Sequence, residues 1–218
     1  MNSSLKHWFN MQQELTRKAK YMLKRLFTSR EALLMLIILV LIGLVAIRFP
    51  RFITPSNLSG VFNDTSPLIL LAIGQMIVIL TKCIDLSVAA NLALTGMVVA
   101  MINVAAPSVP VVVIIAVAVG LGAIMGAFNG LLVWKLDIPP IVVTLGTMTI
   151  FRGIVFLISN GKWVNSHEMT QAFKAFPRYE LLGLPMMSWT AIIAVIIFFI
   201  VMTRTTLGRS FYAVGGNP

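Results

Sequence analysis

Residues 109–134 contain no charged side chain, and Asn129 is the one carboxamide in that run. A helix needs about 20 mostly apolar residues to cross the hydrocarbon of a bilayer, so this run reads as a membrane span. Five further apolar runs share its character, at 33–47, 67–81, 86–106, 140–158 and 185–202. The second of the six, 67–81, is short for a crossing. Of the 218 residues 58% are hydrophobic and 11% charged, where a soluble domain carries about 25% charged residues. Mean hydropathy is +0.94. A water-soluble globule is excluded. Disorder is excluded too, because disordered chains lack this much apolar surface. Cys83 is the only cysteine, which excludes a disulfide scaffold. The expected fold is all-α: a polytopic integral membrane helix bundle with six candidate spans.

Lys and Arg near the span ends fall mostly on one side: the flank before residue 33, Lys82, Lys135, Arg204 and Arg209. Cytoplasmic loops carry this excess. The N-terminus is therefore expected in the cytoplasm, with the segment after Met202 on the same side. If the short second run did not cross, the later orientation would invert. In residues 1–32, Leu5, Trp8, Leu15, Ala19, Met22 and Leu26 recur at helical spacing, with Lys6, Arg17, Lys20 and Lys24 on other faces. Two readings stay open: a basic amphipathic helix lying on an anionic leaflet, or a solvated positive flank that fixes topology. No cleavable signal pattern follows. The chain divides into a cytoplasmic basic segment (1–32), a six-span membrane domain (33–203) and a cytoplasmic end (204–218). The longest link, 159–184, reads as one loop with a short amphipathic helix near 169–176.

Ionisable residues at membrane depth are costly and mark function by default. Asp85 stands between the second and third runs. It can N-cap the third span with Lys82 as an ion-pair partner, or it can belong to a solute path or gate. Arg152 lies about 12 residues into the fifth run, near its middle by helix rise. It needs an ion partner, a carbonyl or a wet cavity. Gln75, Asn91, Asn129, Thr144, Thr147 and Thr149 are the other candidate buried polar groups. They suit interhelical hydrogen bonds or the lining of a path for a hydroxylated solute. Gly122, Gly126 and Gly130 form one stripe of a helix, a packing signal for close approach of another helix. Pro139-Pro140 suits a helix start, where missing N–H groups cost little.

No phosphate loop of the G-x-x-x-x-G-K-[ST] type occurs, so ATP has no site of that kind here. His7 and His167 are far apart in sequence and there is one Cys, so no metal set is expected. No hydrolase motif appears. No cofactor is expected, and the basic charge is not read as nucleic-acid binding, because the hydropathy forbids it.

Three segments carry a resemblance. Val78-Ile79-Leu80-Thr81 followed by Ile84-Asp85-Leu86-Ser87-Val88 resembles the T-G-G-I-D-L-S-V-G segment of bacterial sugar-type ABC importer permeases, the ribose, xylose, arabinose and rhamnose class. Pro139-Pro140-Ile141-Val142-Val143-Thr144-Leu145-Gly146-Thr147-Met148, with Arg152-Gly153, is similar to that family's P-P-F-I-V-T-L-G-T-M … R-G stretch. Thr203 to Arg209, continuing through Tyr212-Ala213-Val214-Gly215-Gly216-Asn217-Pro218, looks like the approach to its cytoplasmic coupling loop. The resemblance implies a permease subunit that moves a monosaccharide, a pentose or a deoxyhexose of the rhamnose type, across the bacterial inner membrane. It implies no enzyme activity in this chain, since ATP hydrolysis belongs to cytoplasmic ATP-binding subunits. The implied partners are those subunits, a second permease subunit (identical or paralogous), a periplasmic sugar-binding protein and the lipid membrane. Arg204, Gly208, Arg209, Gly215, Gly216 and Asn217 are then ATPase-coupling candidates.

Two departures stand out. The family's glycine pair is Lys82-Cys83 here, and a later glycine is Ala89, so any tight turn there forms without glycine. The family also continues past Gly-Gly-Asn into a helix and further spans, so a C-terminally truncated copy is expected. The alternatives are a secondary transporter or channel, for which Arg152 and Asp85 would be the coupling groups, and a nonfunctional truncated fragment.

Overall fold

A computed structural model describes residues 30–216. The amphipathic N-terminal segment and Asn217 lie outside the described residues. The chain forms two compact units, Met1–Leu58 and Ser59–Pro218.

In the first unit, helix α1 (Arg30–Arg48) is apolar along its length. Nearly all its large side chains are exposed, Leu36 and Ile47 among them. A surface like that is stable only in lipid or against another apolar surface. Arg48 ends the helix with its guanidinium 5.1 Å from the Phe49 ring centroid. A 3-10 turn (Pro50–Ile53) follows. Helix α2 (Pro55–Leu80) starts at the end of this unit. Thr54 Oγ1 accepts the Asn57 N–H at 3.4 Å, and Asn57 Nδ2 donates to the Phe52 carbonyl at 2.8 Å.

Helix α2 corrects the short second run. It begins twelve residues before Pro67 (67 minus 55) and is 26 residues long. The added turns hold Asn57, Asn63, Asp64, Thr65 and Ser66, which hide the helix from a hydropathy reading. Locally the helix absorbs their hydroxyls. Thr65 Oγ1 donates to the Val61 carbonyl and Ser66 Oγ to the Phe62 carbonyl, both at 2.8 Å.

The second unit continues with α3 (Val88–Ala105), α4 (Val111–Leu136), α5 (Pro140–Ser159), the short α6 (Gln171–Ala175), α7 (Met186–Arg204) and α8 (Thr206–Gly216). Among the described residues five helices, α2, α3, α4, α5 and α7, are long and apolar enough to cross a membrane; α1 offers the shorter apolar stretch Ala32–Arg48. The core lies where α3, α4 and α5 meet, around Ala90, Leu94, Met125 and Phe151, with Met148 and Val155 packed against it. The small Ala90 lets neighbouring side chains approach closely, which is how helices associate where lipid is as apolar as leucine. Pro139 precedes α5 in extended form and Pro140 opens it. Asn160, at φ 51°, stops it in the left-handed region.

The 159–184 link holds the expected short helix as Gln171–Ala175, capped by Thr170 Oγ1, which accepts the Phe173 N–H at 3.3 Å. Asn103 on α3 fixes it. Its Nδ2 donates to Thr170 Oγ1 at 2.9 Å, and its Oδ1 accepts the Thr170 N–H at 2.8 Å. The link also contains an antiparallel hairpin, β1 (Glu180–Leu181) with β2 (Leu184–Pro185). Its turn puts Leu182 and Gly183 at φ 52° and 80°, as a two-residue type I′ turn requires. Trp189 Nε1 on α7 donates to the Leu181 carbonyl at 2.8 Å.

Candidate functional site

Helix α2 does not run straight into α3. The Lys82 N–H donates to the Ile79 carbonyl at 2.9 Å and the Cys83 N–H to the Val78 carbonyl at 3.0 Å. With Lys82 at φ 58°, this is a Schellman ending whose left-handed residue is ordinarily glycine. The departure from the family's glycine pair thus falls on a position where a side chain costs about 1–2 kcal/mol. Residues 83–87 then run without helix or strand.

Non-helical backbone in a membrane protein needs its polar groups satisfied by protein or water. Here three helices supply side chains. Gln75 Nε2, from α2, donates to the Asp85 carbonyl at 2.9 Å. Thr144 Oγ1, from α5, lies 3.3 Å from the Ile84 carbonyl. Asn129 Nδ2, from α4, donates to Ser87 Oγ at 2.8 Å. Ser87 passes this on: its Oγ and its N–H both donate to Asp85 Oδ1, at 2.6 and 2.7 Å. A carboxylate acceptor makes these the strong members of the chain of bonds. Asn129 Oδ1 is buried without a partner among the described residues.

This geometry corrects the sequence reading of Asp85. Ser87, not Asp85, occupies the position before α3 and makes no side-chain cap. The Asp85 carboxylate folds back on Ser87. Among the described residues Lys82 makes no ion pair with it; Lys82 is exposed.

A cleft of about 220 Å³ opens beside the break. It is lined by Thr81, Cys83, Asp85, Asn129 and Thr144, with Gly126 and Gly130 on its α4 wall. A Cβ at either glycine would meet nothing within 4 Å. Only Gly122 of the stripe has a close neighbour, with Asn91 Oδ1 at 3.8 Å from such a Cβ. Asn91 lines a different cleft with Gly122 and Thr95, and accepts the Thr95 hydroxyl at 3.3 Å. Thr147 is buried but turned to its own helix, 3.4 Å from the Thr144 carbonyl. Thr149 is exposed and donates to the Leu145 carbonyl. Arg152 stands apart from all of these. It is exposed and lines a third cleft with Lys162 and Trp163.

The coupling candidates form α8. Thr205 breaks α7 in extended conformation. Its hydroxyl donates to the Val201 carbonyl at 2.6 Å and accepts the Gly208 N–H at 3.3 Å. Gly208 is buried, and a Cβ there would collide with the Val201 and Met202 carbonyls. Gly215 lies against the last turn of α2, where a Cβ would fall on the Leu80 carbonyl. Arg204, Arg209 and Gly216 are exposed. Sequence reasoning missed the contact of α8 with Leu80; the glycine at 215 was its one signal.

Long apolar helices and a helix break held by side-chain amides define a polytopic membrane-helix bundle. A family model described as branched-chain amino acid transport system / permease component matches residues 57–218, and the chain belongs to this family. It is a multi-pass inner-membrane protein. Similar curated proteins are autoinducer 2 import system permease proteins LsrC. That of Enterobacter sp. (strain 638) is 37% identical over 89% of this chain and 56% of its own length. That of Escherichia coli O157:H7 is 36% identical over 90% and 56%, and that of Photorhabdus luminescens 34% identical over 90% and 58%. The chain thus spans about 56% of the length of the first of these relatives. No solved structure matches.

Proposed function

We propose that the chain serves as a permease subunit of an ATP-driven importer for a small polyhydroxylated solute, of monosaccharide size. The observation that carries this is the cleft beside the break. Its polar lining joins a carboxamide and hydroxyls to the Asp85 carboxylate and the Cys83 thiol, with Asn129 Oδ1 buried and lacking a partner among the described residues. A buried acceptor gains most from a donor that arrives with the solute, and sugar hydroxyls are such donors. Pentoses and deoxyhexoses of the rhamnose type fit this lining. The names of the relatives favour a second solute, autoinducer 2. Gln75, Asp85 and Thr144 hold the break in place, and Asn91 and Thr147 flank it.

In this reading ATP is hydrolysed by separate cytoplasmic subunits, a binding protein delivers the solute, and a second permease subunit completes the path. Helix α8, with Arg204 and Arg209 exposed, meets the ATP-binding subunits and carries their motion to Leu80 through Gly215. The test is ATP-dependent uptake in cells supplying those partners. Labelled rhamnose, ribose and autoinducer 2 are compared for parent, Asn129→Leu and Gly215→Val. Asn129→Leu should lower uptake about tenfold, the loss set by one buried hydrogen bond. Gly215→Val should abolish uptake with the subunits still bound. Uptake that ignores ATP would overturn the importer reading in favour of a secondary transporter.

A further inference from the structure

The cleft around Arg152 belongs to neither the break nor α8. Its floor is apolar, made by Ala93 and Met97 of α3 and Val155 and Phe156 of α5. Arg152 and Lys162 also line it, beside Trp163. Among the described residues neither cation has a hydrogen-bond or ion-pair partner. Arg152 lies seven residues before Ser159, the end of α5 (159 minus 152), or roughly 10 Å along the axis. A guanidinium at that depth reaches toward the membrane surface by extending its side chain. Trp163 is 84% exposed and Phe156 71% exposed. Exposed indole rings sit at the headgroup level of a bilayer.

An apolar trough ending in two unpaired cations and an indole matches one kind of molecule. We propose that this cleft binds an anionic phospholipid of the leaflet that borders the 159–184 loop. Its phosphate is held between Arg152 and Lys162, and an acyl chain lies over Met97, Val155 and Phe156. The charge is complementary, and both cations gain the partner they lack. The headgroup supplies oxygen acceptors that the five donors of a guanidinium can engage in pairs. Zwitterionic lipid offers the same chains without net charge.

The purified chain in neutral detergent is titrated with phosphatidylglycerol, with phosphatidylcholine of the same acyl chains, and with soluble glycerol phosphate. Bound molecules are counted by native mass spectrometry. Phosphatidylglycerol should bind several-fold more tightly than phosphatidylcholine, and glycerol phosphate should not displace it. Arg152→Gln and Lys162→Gln should each weaken phosphatidylglycerol roughly fivefold, the worth of one cation at a charged membrane surface. Arg152→Lys should retain the preference, and Lys135→Gln, outside the cleft, should leave it unchanged. Lys162 is exposed in the loop, so its variant decides the matter if Arg152→Gln fails to fold. Equal binding of the two lipids overturns the proposal. So does displacement by glycerol phosphate, which would mark a site for soluble anions. A change in subunit association on Arg152→Gln, with lipid binding untouched, overturns it in favour of a protein partner.

Discussion

The break at residues 83–87 and the cleft at Arg152 meet the same problem with opposite solutions. Both put polar groups on helices that lipid surrounds. At the break, polar atoms are brought inward and paired: Gln75, Asn129 and Thr144 each reach it from a different helix. Ser87 is 1% exposed and Asn129 6%. At the cleft the polar atoms stay outside, and Arg152 is exposed with Lys162 beside it. A buried carboxamide holds shape, because removing one partner strands the other. An exposed cation contributes little to the fold and remains free for a ligand. One region therefore builds the protein, and the other offers it to its surroundings.

The sharpest way to break this comparison is a pair of leucine substitutions, read by equilibrium unfolding in mixed lipid and detergent. Asn129→Leu should destabilise by about 2–3 kcal/mol, since Ser87 Oγ loses its donor inside a buried network. Arg152→Leu should stay within about 0.5 kcal/mol of the parent. Equal losses would abolish the distinction. Next in size, a double-mutant cycle of Ser87→Ala with Asn129→Ala should give a coupling of about 0.6–1.7 kcal/mol, the range for such bonds in membranes. Lys82→Gly has the opposite sign. It should stabilise by about 1 kcal/mol, because the left-handed backbone at φ 58° suits glycine.

The smallest effect lies outside the spans. Glu168 accepts the Asn165 N–H at 2.5 Å, and this bond, with help from His167, holds its carboxyl below the ordinary 4.5. A depressed folded pKa gives stability that is present above the unfolded value and lost as pH falls through the folded one. Hydrogen exchange at the Asn165 amide should therefore quicken, after correction for intrinsic rate, as pH drops below 4.5. In Glu168→Gln it should show no such step.

The two regions were also unequally legible in the sequence. The apolar runs announced most of the helices, because a span has to be apolar over its whole length. Helix α2 was read short, since Asn57, Asn63 and Asp64 look like loop residues and the helix consumes hydroxyls locally. The hairpin was invisible: Leu182-Gly183 lacks the Asn or Asp that normally marks such a turn. At the break, the residue types were legible and the partners were not. Gln75 and Thr144 both reach main-chain carbonyls, which carry no sequence signature, and their meeting depends on how three helices are rotated. The capping reading of Asp85 failed for the same reason. Its acceptor is spent on Ser87, two residues on, a choice fixed by the local backbone path.

Cys83 stands at the start of the break and lines the cleft beside it. It is the sole thiol in the chain, half-buried there. Nature has thus left a single attachment point for a dye or spin probe where the backbone passes between α2 and α3. A maleimide fluorophore needs no engineered cysteine to report there. Its colour would register whether the crevice is filled with water or closed against it.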